Sequence, residues 1–380
     1  MMSQTPTNPA PPVDVQDPAK LTLELPSVDQ SPAPADPIIE VRNVSKVLGG
    51  NTILHDLNFQ VRQGEIFGFI GPSGSGKTTA IRLLTGVYTP TTGEVSVMGI
   101  APSHPERRVQ EHFGYMPQMF VLYPNLTVRE NLMFVAELYG MGRILRNRRV
   151  KQMLEFVELT DARNRLASDV SGGMQRRMEL AAALLHNPTL IFADEPTAGI
   201  DPVLRGKFWE EFRRLRDEGR TLFVTTQYVG ESEYCDRVGV LREGRIVAVE
   251  TPVGLRRRAF GGDMVDVVAR SPEAEGAQAQ AELIKALWSV AGVKQVRVIQ
   301  EEGAEDKLRS TVQDAGPAIP AILDLLNSLS CEVKRIEEHR PNFDEVFIRL
   351  MQQDEAARAK EEAAKLPEVA ATGSTETPHV

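Results

Sequence analysis

The chain of 380 residues has no stretch that approaches the ~20 consecutive apolar residues needed to cross a bilayer, so no membrane span is expected in it. Its N-terminus lacks the basic start and apolar core of a signal peptide. The two cysteines, Cys235 and Cys331, lie far apart and fit no metal-ligand spacing, which excludes a disulfide framework or a zinc cluster and suits free thiols in a reducing cytosol. Aromatic residues make up only 6% and include two tryptophans, concentrated well away from the first forty positions. Basic charge is also short: the net charge of -9 argues against broad nucleic-acid binding, and no nucleic-acid partner is expected.

What remains is the composition of a soluble globular chain with room for one large domain and a smaller one. Residues 1–37 are rich in Pro, Ala, Asp and Ser, cannot bury enough surface to offset their ordering entropy, and are expected to be a disordered tail. Within it, the run at 21–25 alternates Leu with Thr and Glu and could pair as a strand or dock on a partner. From Ile38 to about Phe260, short apolar runs alternate with helical patterns, which predicts an α/β domain. The near-continuous apolar runs at 66–70, 190–193 and 222–224 suit central strands buried on both faces. A predominantly helical stretch, about 119–185, reads as an insertion into this domain. Gly261-Gly262-Asp263 marks a boundary to a small α+β domain over 263–351, with strand candidates at 264–268, 293–299 and 331–336. Its helix candidates are 279–287, 318–329 and one placing Phe343, Val346, Phe347 and Leu350 on one face. Residues 352–380 are expected to fray from a charged helix into disorder.

Three motifs carry chemistry. Gly71-Pro72-Ser73-Gly74-Ser75-Gly76-Lys77-Thr78 fits the phosphate-loop pattern, follows an apolar run and, with Thr79, opens a helix. Its glycines let backbone N–H groups converge on phosphates at a helix N-terminus. Lys77 can reach the β- and γ-phosphates and the Thr78 hydroxyl can ligate Mg²⁺. Second, the apolar run 190–193 ends in Asp194 and Glu195, the first suited to Mg²⁺ and the second to orienting or deprotonating an attacking water. Third, Ser171-Gly172-Gly173-Met174-Gln175 stands at the start of a helical pattern, where small residues leave N–H groups open to an anion.

In this order the three motifs resemble the ATPase domain of ATP-binding cassette (ABC) transporters, over about residues 38–260. The fold implied is a P-loop α/β domain with a helical insertion, and the cofactors are ATP and Mg²⁺. The resemblance assigns Gln118 as a Mg²⁺ ligand that senses the γ-phosphate and Asp201 as the residue coupling two sites of a dimer. It also implies that Ser171, Gly172, Gly173 and Gln175 of one subunit close over ATP held by another. Two positions depart from the family. Gln227 stands where a switch histidine is expected; it can donate to the γ-phosphate but cannot become cationic. Leu48 stands where an aromatic ring usually stacks on adenine.

Arg176-Arg177-Met178, the domain after Gly262 and the sequence Pro341-Asn342-Phe343-Asp344-Glu345-Val346-Phe347 resemble ATPases of ABC-2-type exporters, the daunorubicin-resistance type in particular. That implies an ATP-hydrolysing subunit, cytoplasmic and peripheral on the inner face of the membrane, which powers a separate integral membrane permease. Phe120, Leu122, Tyr123 and Leu126 are candidates for the permease contact, or else core of the insertion. Two other readings are a soluble ABC ATPase of translation or repair, and a weakly hydrolysing regulatory subunit paired with another ATPase. The single phosphate loop and the absence of heptad arms or a cysteine cluster speak against the former.

Overall fold

A computed structural model describes residues 37–102, 112–271, 276–300 and 307–365. The expected N-terminal tail, apart from residue 37, and the last part of the expected C-terminal tail, 366–380, lie outside the described residues. The described chain opens with a hairpin of β1 (Ile39–Leu48) and β2 (Asn51–Val61). Its two-residue turn, Gly49-Gly50, has φ of 55° and 83°, a left-handed pair that glycine adopts without cost. Strand β3 (Ile66–Ile70), helix α1 (Lys77–Leu84), β4 (Thr92–Val97) and β5 (Phe113–Met116) follow. The helical segment holds α2 (Val128–Leu138), α3 (Arg143–Phe156) and α4 (Gly172–Leu184). The chain then returns through β6 (Leu190–Asp194), α5 (Pro202–Asp217), β7 (Thr221–Thr226), β8 (Arg237–Arg242), β9 (Arg245–Glu250) and α6 (Pro252–Phe260).

The central sheet has the order β5-β6-β7-β3-β8-β9, parallel except for β9. β3, β6 and β7 are buried along their whole length, the reason their sequences run apolar instead of alternating. One face packs against α1 and an antiparallel sheet, β2-β1-β4. Four aromatic rings cluster here: Phe59 and Phe223 contact each other and both Phe67 and Phe69, with ring centroids 5.4 to 6.2 Å apart. The other face forms a second core with α5 and the helical segment, where Leu132, Met153 and Met178 meet Ile191 and Val224.

Helix α2 begins at a complete capping box: Thr127 accepts from the Glu130 N–H and Glu130 accepts from the Thr127 N–H. One turn in, the fully buried Asn131 side chain accepts from the Tyr123 N–H at 2.8 Å. It donates to the carbonyls of Tyr123, Leu126 and Thr127. It thereby shapes the loop 119–126, whose Phe120 and Leu122 pack on the core while Tyr123 stays half exposed.

Beyond Gly261, the left-handed C-cap of α6, lies a four-stranded antiparallel sheet in the order β11-β12-β10-β13. Its parts are β10 (Asp263–Arg270), α7 (Gly276–Trp288), β11 (Val293–Ile299), β12 (Lys307–Val312), α8 (Ala315–Ser328) and β13 (Glu332–His339). Val265, Leu287, Leu308, Val312, Ile322 and Leu326 give it a core of its own. The last helix, α9 (Phe343–Lys365), leaves that core: Phe343, Val346 and Leu350 are buried in the core of the ATPase-like part, against α6.

Candidate nucleotide site

The loop 71–76 joins the end of β3 to α1 at the carboxyl edge of the central sheet, where open α/β sheets bind ligands. Gly74 and Gly76 have φ of 78° and 108°. A Cβ on Gly71 would sit 2.2 Å from the Leu241 carbonyl oxygen, and one on Gly76 would sit 2.6 Å from Leu54, so the loop is held against its floor by residues with no side chain. Pro72, Ser73 and Gly74 form the exposed rim, while Thr78 and Thr79 are half-buried on the first turn of α1. Lys77 is almost fully buried. Its ammonium donates to the carbonyls of Gly71 (2.8 Å) and Pro72 (3.0 Å) and lies 3.2 Å from a carboxylate oxygen of Glu195.

Asp194 ends β6 and Glu195 begins the turn after it, with φ of 49°, in the left-handed region that only a few per cent of non-glycine residues occupy. Thr225 on the adjacent β7 orients both acids. Its hydroxyl donates to Asp194 Oδ1 at 2.6 Å, and its hydroxyl and carbonyl oxygens both accept from the Glu195 N–H. Burial pushes the Asp194 carboxyl above the usual carboxylate range, opposed by the hydroxyls of Thr225 and Thr78 beside it. Asp194 Oδ2 and Ser75 Oγ are buried and have no hydrogen-bond partner among the described residues. A buried carboxylate oxygen with a free lone pair, next to a threonine hydroxyl, fits a hard divalent cation that takes one or two protein oxygens and completes its shell with phosphate and water. No group of three or more metal-ligating His, Cys, Asp or Glu side chains occurs among the described residues.

Gln118 reaches the same place from the strand β5 side: its amide donates to Glu195 Oε2 at 3.2 Å. The Arg176 guanidinium on α4 donates to the carbonyls of Pro117 and Gln118, and Glu179, itself buried, accepts from the Val121 N–H. The helix that starts at Ser171 is therefore bolted to the loop carrying Gln118, a link that neither motif reveals by itself.

Ser171 caps α4, accepting from the Met174 N–H, and Ser171 and Gly172 are exposed. With Gly173, Gly199 and Asp201 they line one side of an open cavity of about 510 Å³. The Gln175 side chain points away from it, donating to the Ala167 carbonyl at 2.9 Å. Asp201 caps α5, accepting from the N–H groups of Val203 and Leu204 at 3.0 Å each. Gln227 is exposed just past β7, at the mouth of a different cavity that it shares with Arg205, Tyr228 and Phe347. Leu48 closes the β1–β2 hairpin, half-buried and paired with Asn51. Lys77, Asp194, Glu195 and Gln118 thus form one contiguous cluster, whereas Ser171, Gly172, Gly173 and Asp201 form a second and Gln227 and Leu48 stand apart.

A P-loop at the edge of a largely parallel sheet, an acid-ended strand beside it and a Ser-Gly-Gly helix start on a helical insertion define an ATP-binding cassette. The ABC transporter family model matches residues 54–198. The linearmycin resistance ATP-binding protein LnrL of Bacillus subtilis (strain 168) is 31% identical over 82% of this chain and 98% of its own length. The daunorubicin resistance ATP-binding protein DrrA2 of Streptomyces coeruleorubidus is 33% identical over 86% of this chain and 98% of its own. The chain belongs to the ATP-binding proteins of ABC transporters. It also resembles the probable multidrug ABC transporter ATP-binding protein YbhF of Escherichia coli (strain K12), 35% identical over 61% of this chain, but spans only 40% of that longer protein. Among solved structures, an ATP-binding subunit of an ABC transporter superposes with a TM-score of 0.54 at 29% identity, covering 59% of this chain and 93% of its own. The dimeric cassette MJ0796 bound to ADP and Pi does so with 0.52 at 28%, covering 56% and 98%. No helix among the described residues is long and apolar enough to cross a membrane.

Proposed function

We propose that this chain binds MgATP and hydrolyses it to drive a separate membrane permease of the exporter class. The observation that carries the reading is the cluster itself, in which the buried Lys77, Asp194 and Glu195 meet the exposed Gln118 beside the phosphate loop. The N–H groups of 72–78 would hold the phosphates, with Lys77 moving from the loop carbonyls onto the β- and γ-oxygens. Asp194, Thr78 and Gln118 would hold Mg²⁺, which supplies neutralisation of the charge on the transferred phosphoryl group. Glu195 would orient the attacking water and take its proton. Gln227 would donate to the γ-phosphate after the loop it sits on closes, and Leu48 would pack on the base without stacking. Ser171, Gly172 and Gly173, with Asp201, would complete the site of a second ATPase subunit, with Gln175 holding the helix start in place.

The permease partner is supported by the exposed apolar side chains of the loop 119–126 and the helical segment. Met119 is 75% exposed, Leu138 70% and Ile144 89%, apolar side chains available for a partner to cover. Such a partner places the chain peripherally on the cytoplasmic face. The relatives whose names mention linearmycin or daunorubicin resistance support an exporter over a translation or repair ATPase. Lys77→Ala tests the site. It removes the cation facing the phosphates, whose other contacts are the loop carbonyls of Gly71 and Pro72 and the Glu195 carboxylate, so a fluorescent ATP analogue should lose most of its affinity while the circular dichroism spectrum is kept. Undiminished affinity would place the nucleotide elsewhere.

A further inference from the structure

Glu231 is a buried carboxylate for which the chemistry above has no use. It lies in the short 3-10 turn Val229–Tyr234 that follows β7 and is only 2% exposed. The hydroxyl of Thr197, itself fully buried, donates to Glu231 Oε1 at 2.7 Å. Arg205 Nε lies 3.5 Å from the same oxygen, and the Arg205 guanidinium covers the Tyr228 ring at 4.1 Å. The positions of these partners along the chain are informative. Thr197 stands two residues after Glu195, Arg205 stands one helical turn after Asp201, and Tyr228 directly follows Gln227. The Arg205 N–H also donates to the Asp201 carbonyl at 2.9 Å, closing the first turn of α5. One carboxylate therefore joins the three segments that carry Glu195, Asp201 and Gln227.

A charge buried only to fill space is a poor choice, because an apolar residue of the same volume fills it without the desolvation cost. A buried carboxylate that bridges separate segments instead fixes their relative positions, and removing one partner leaves the other unsatisfied. We propose that Glu231 is a positioning residue: through Thr197 and Arg205 it locks the acid-bearing turn, the start of α5 and the switch loop into one unit, so that Gln227 and Asp201 reach the nucleotide only in register with Glu195. The proposal rests on the ATPase reading above. Lys77 touches this unit only at Glu195, and its hydrogen bonds go to the Gly71 and Pro72 carbonyls outside it, so turnover should change far more than nucleotide affinity.

The test uses the full-length chain and two variants, Glu231→Gln and Thr197→Val, each nearly isosteric with the residue replaced. Both should lower kcat by about tenfold or more while KM for ATP changes by less than about twofold, because misplacement acts on the reacting geometry rather than on binding. The double variant should be no slower than the slower single one, the signature of a shared interaction. Hydrogen–deuterium exchange gives a readout independent of turnover. Thr197→Val should raise exchange in residues 227–235, a different segment from the one mutated, and Thr197→Ser, which keeps the donor, should restore protection. Wild-type kcat in both variants, multiplicative losses in the double, or exchange confined to residues 196–200 would each overturn the proposal. A wild-type chain without ATP turnover would instead remove the ATPase reading, and the exchange result would still decide whether the bridge exists.

Discussion

At the scale of single residues, the tension in this site lies between how tightly its acids are held and how loosely its switch position is. Glu195 sits in the left-handed region with its N–H bound twice by Thr225, a local strain that the surrounding contacts maintain. Gln227, by contrast, stands exposed just past the last strand residue. Histidine at that position could both donate to the γ-phosphate and help to organise the water near Glu195, whereas glutamine offers only the donation. If that step limits turnover, Gln227→His should raise the single-turnover hydrolysis rate of prebound ATP, within the ~10²-fold or more that such positioning and acid–base contributions are worth. Single-turnover conditions matter because product release is slow in many ATPases and would hide a faster chemical step. Equal rates for the two proteins would assign the slow step elsewhere.

At the scale of elements, legibility tracks burial. The runs at 66–70, 190–193 and 222–224 were readable as strands because β3, β6 and β7 are covered on both faces, which leaves no alternation to be mistaken for anything else. The expected strand at 293–299 coincides with β11, and the expected helix at 279–287 falls inside α7, where Leu283, Ile284 and Leu287 recur at helical spacing. β12 is not legible in the sequence: its inward positions are Leu308, Ser310 and Val312, and the buried serine breaks the apolar signal. The motif residues Lys77, Asp194 and Glu195 are legible through chemistry, since their types and order suffice, whereas Gln118 is legible only through the family resemblance. Arg176, Glu179, Thr225 and Glu231 are not legible, because each acts through a partner distant in sequence. Helix α9 shows the same limit. Its charged second half reads as solvated, yet Arg242 donates to the Met351 carbonyl and pairs with Glu355, and Arg358 pairs with Glu243 at 2.8 Å. Its apolar face gives a direct test. Leu350 is 1% exposed inside the core of the ATPase-like part rather than in that of the four-stranded sheet. Leu350→Ala should therefore destabilise that part by about 2–5 kcal/mol, as large-to-small core changes do. Denaturant unfolding followed through Trp209, fully buried in the same core, reports it. A loss of well under 1 kcal/mol would mean that α9 packs there without contributing to stability.

At the scale of the whole molecule, the described surfaces are incomplete in two complementary ways. The rim of the phosphate loop, Pro72 to Gly74, is exposed, and so are Ser171, Gly172 and Asp201 beside their cavity of about 510 Å³. Ser171 and Asp201 each spend their side chain capping a helix, so what the second cluster presents to a ligand is backbone N–H at the start of α4, suited to an anion brought by another molecule. A second copy supplies that anion if its phosphate loop carries ATP, and the contact is reciprocal in a two-fold dimer. Such a dimer is held partly by the γ-phosphate and should come apart once hydrolysis removes it. Stopping the chemistry while keeping the nucleotide should therefore capture it. Glu195→Gln does this with little disturbance: it retains volume and an acceptor near Lys77 and Gln118, and it leaves the phosphate loop, Thr78 and Asp194 untouched. With MgATP, the variant should double its mass by light scattering, while the wild type with MgADP, and the variant with EDTA added to remove the metal, should remain single. Adding Ser171→Arg to the variant should abolish the doubling, because a bulky side chain then occupies the helix start. A Glu195→Gln chain that binds MgATP yet stays monomeric, both alone and with the proposed permease, would mean that this cassette completes its site in some other way, such as with a different ATPase subunit.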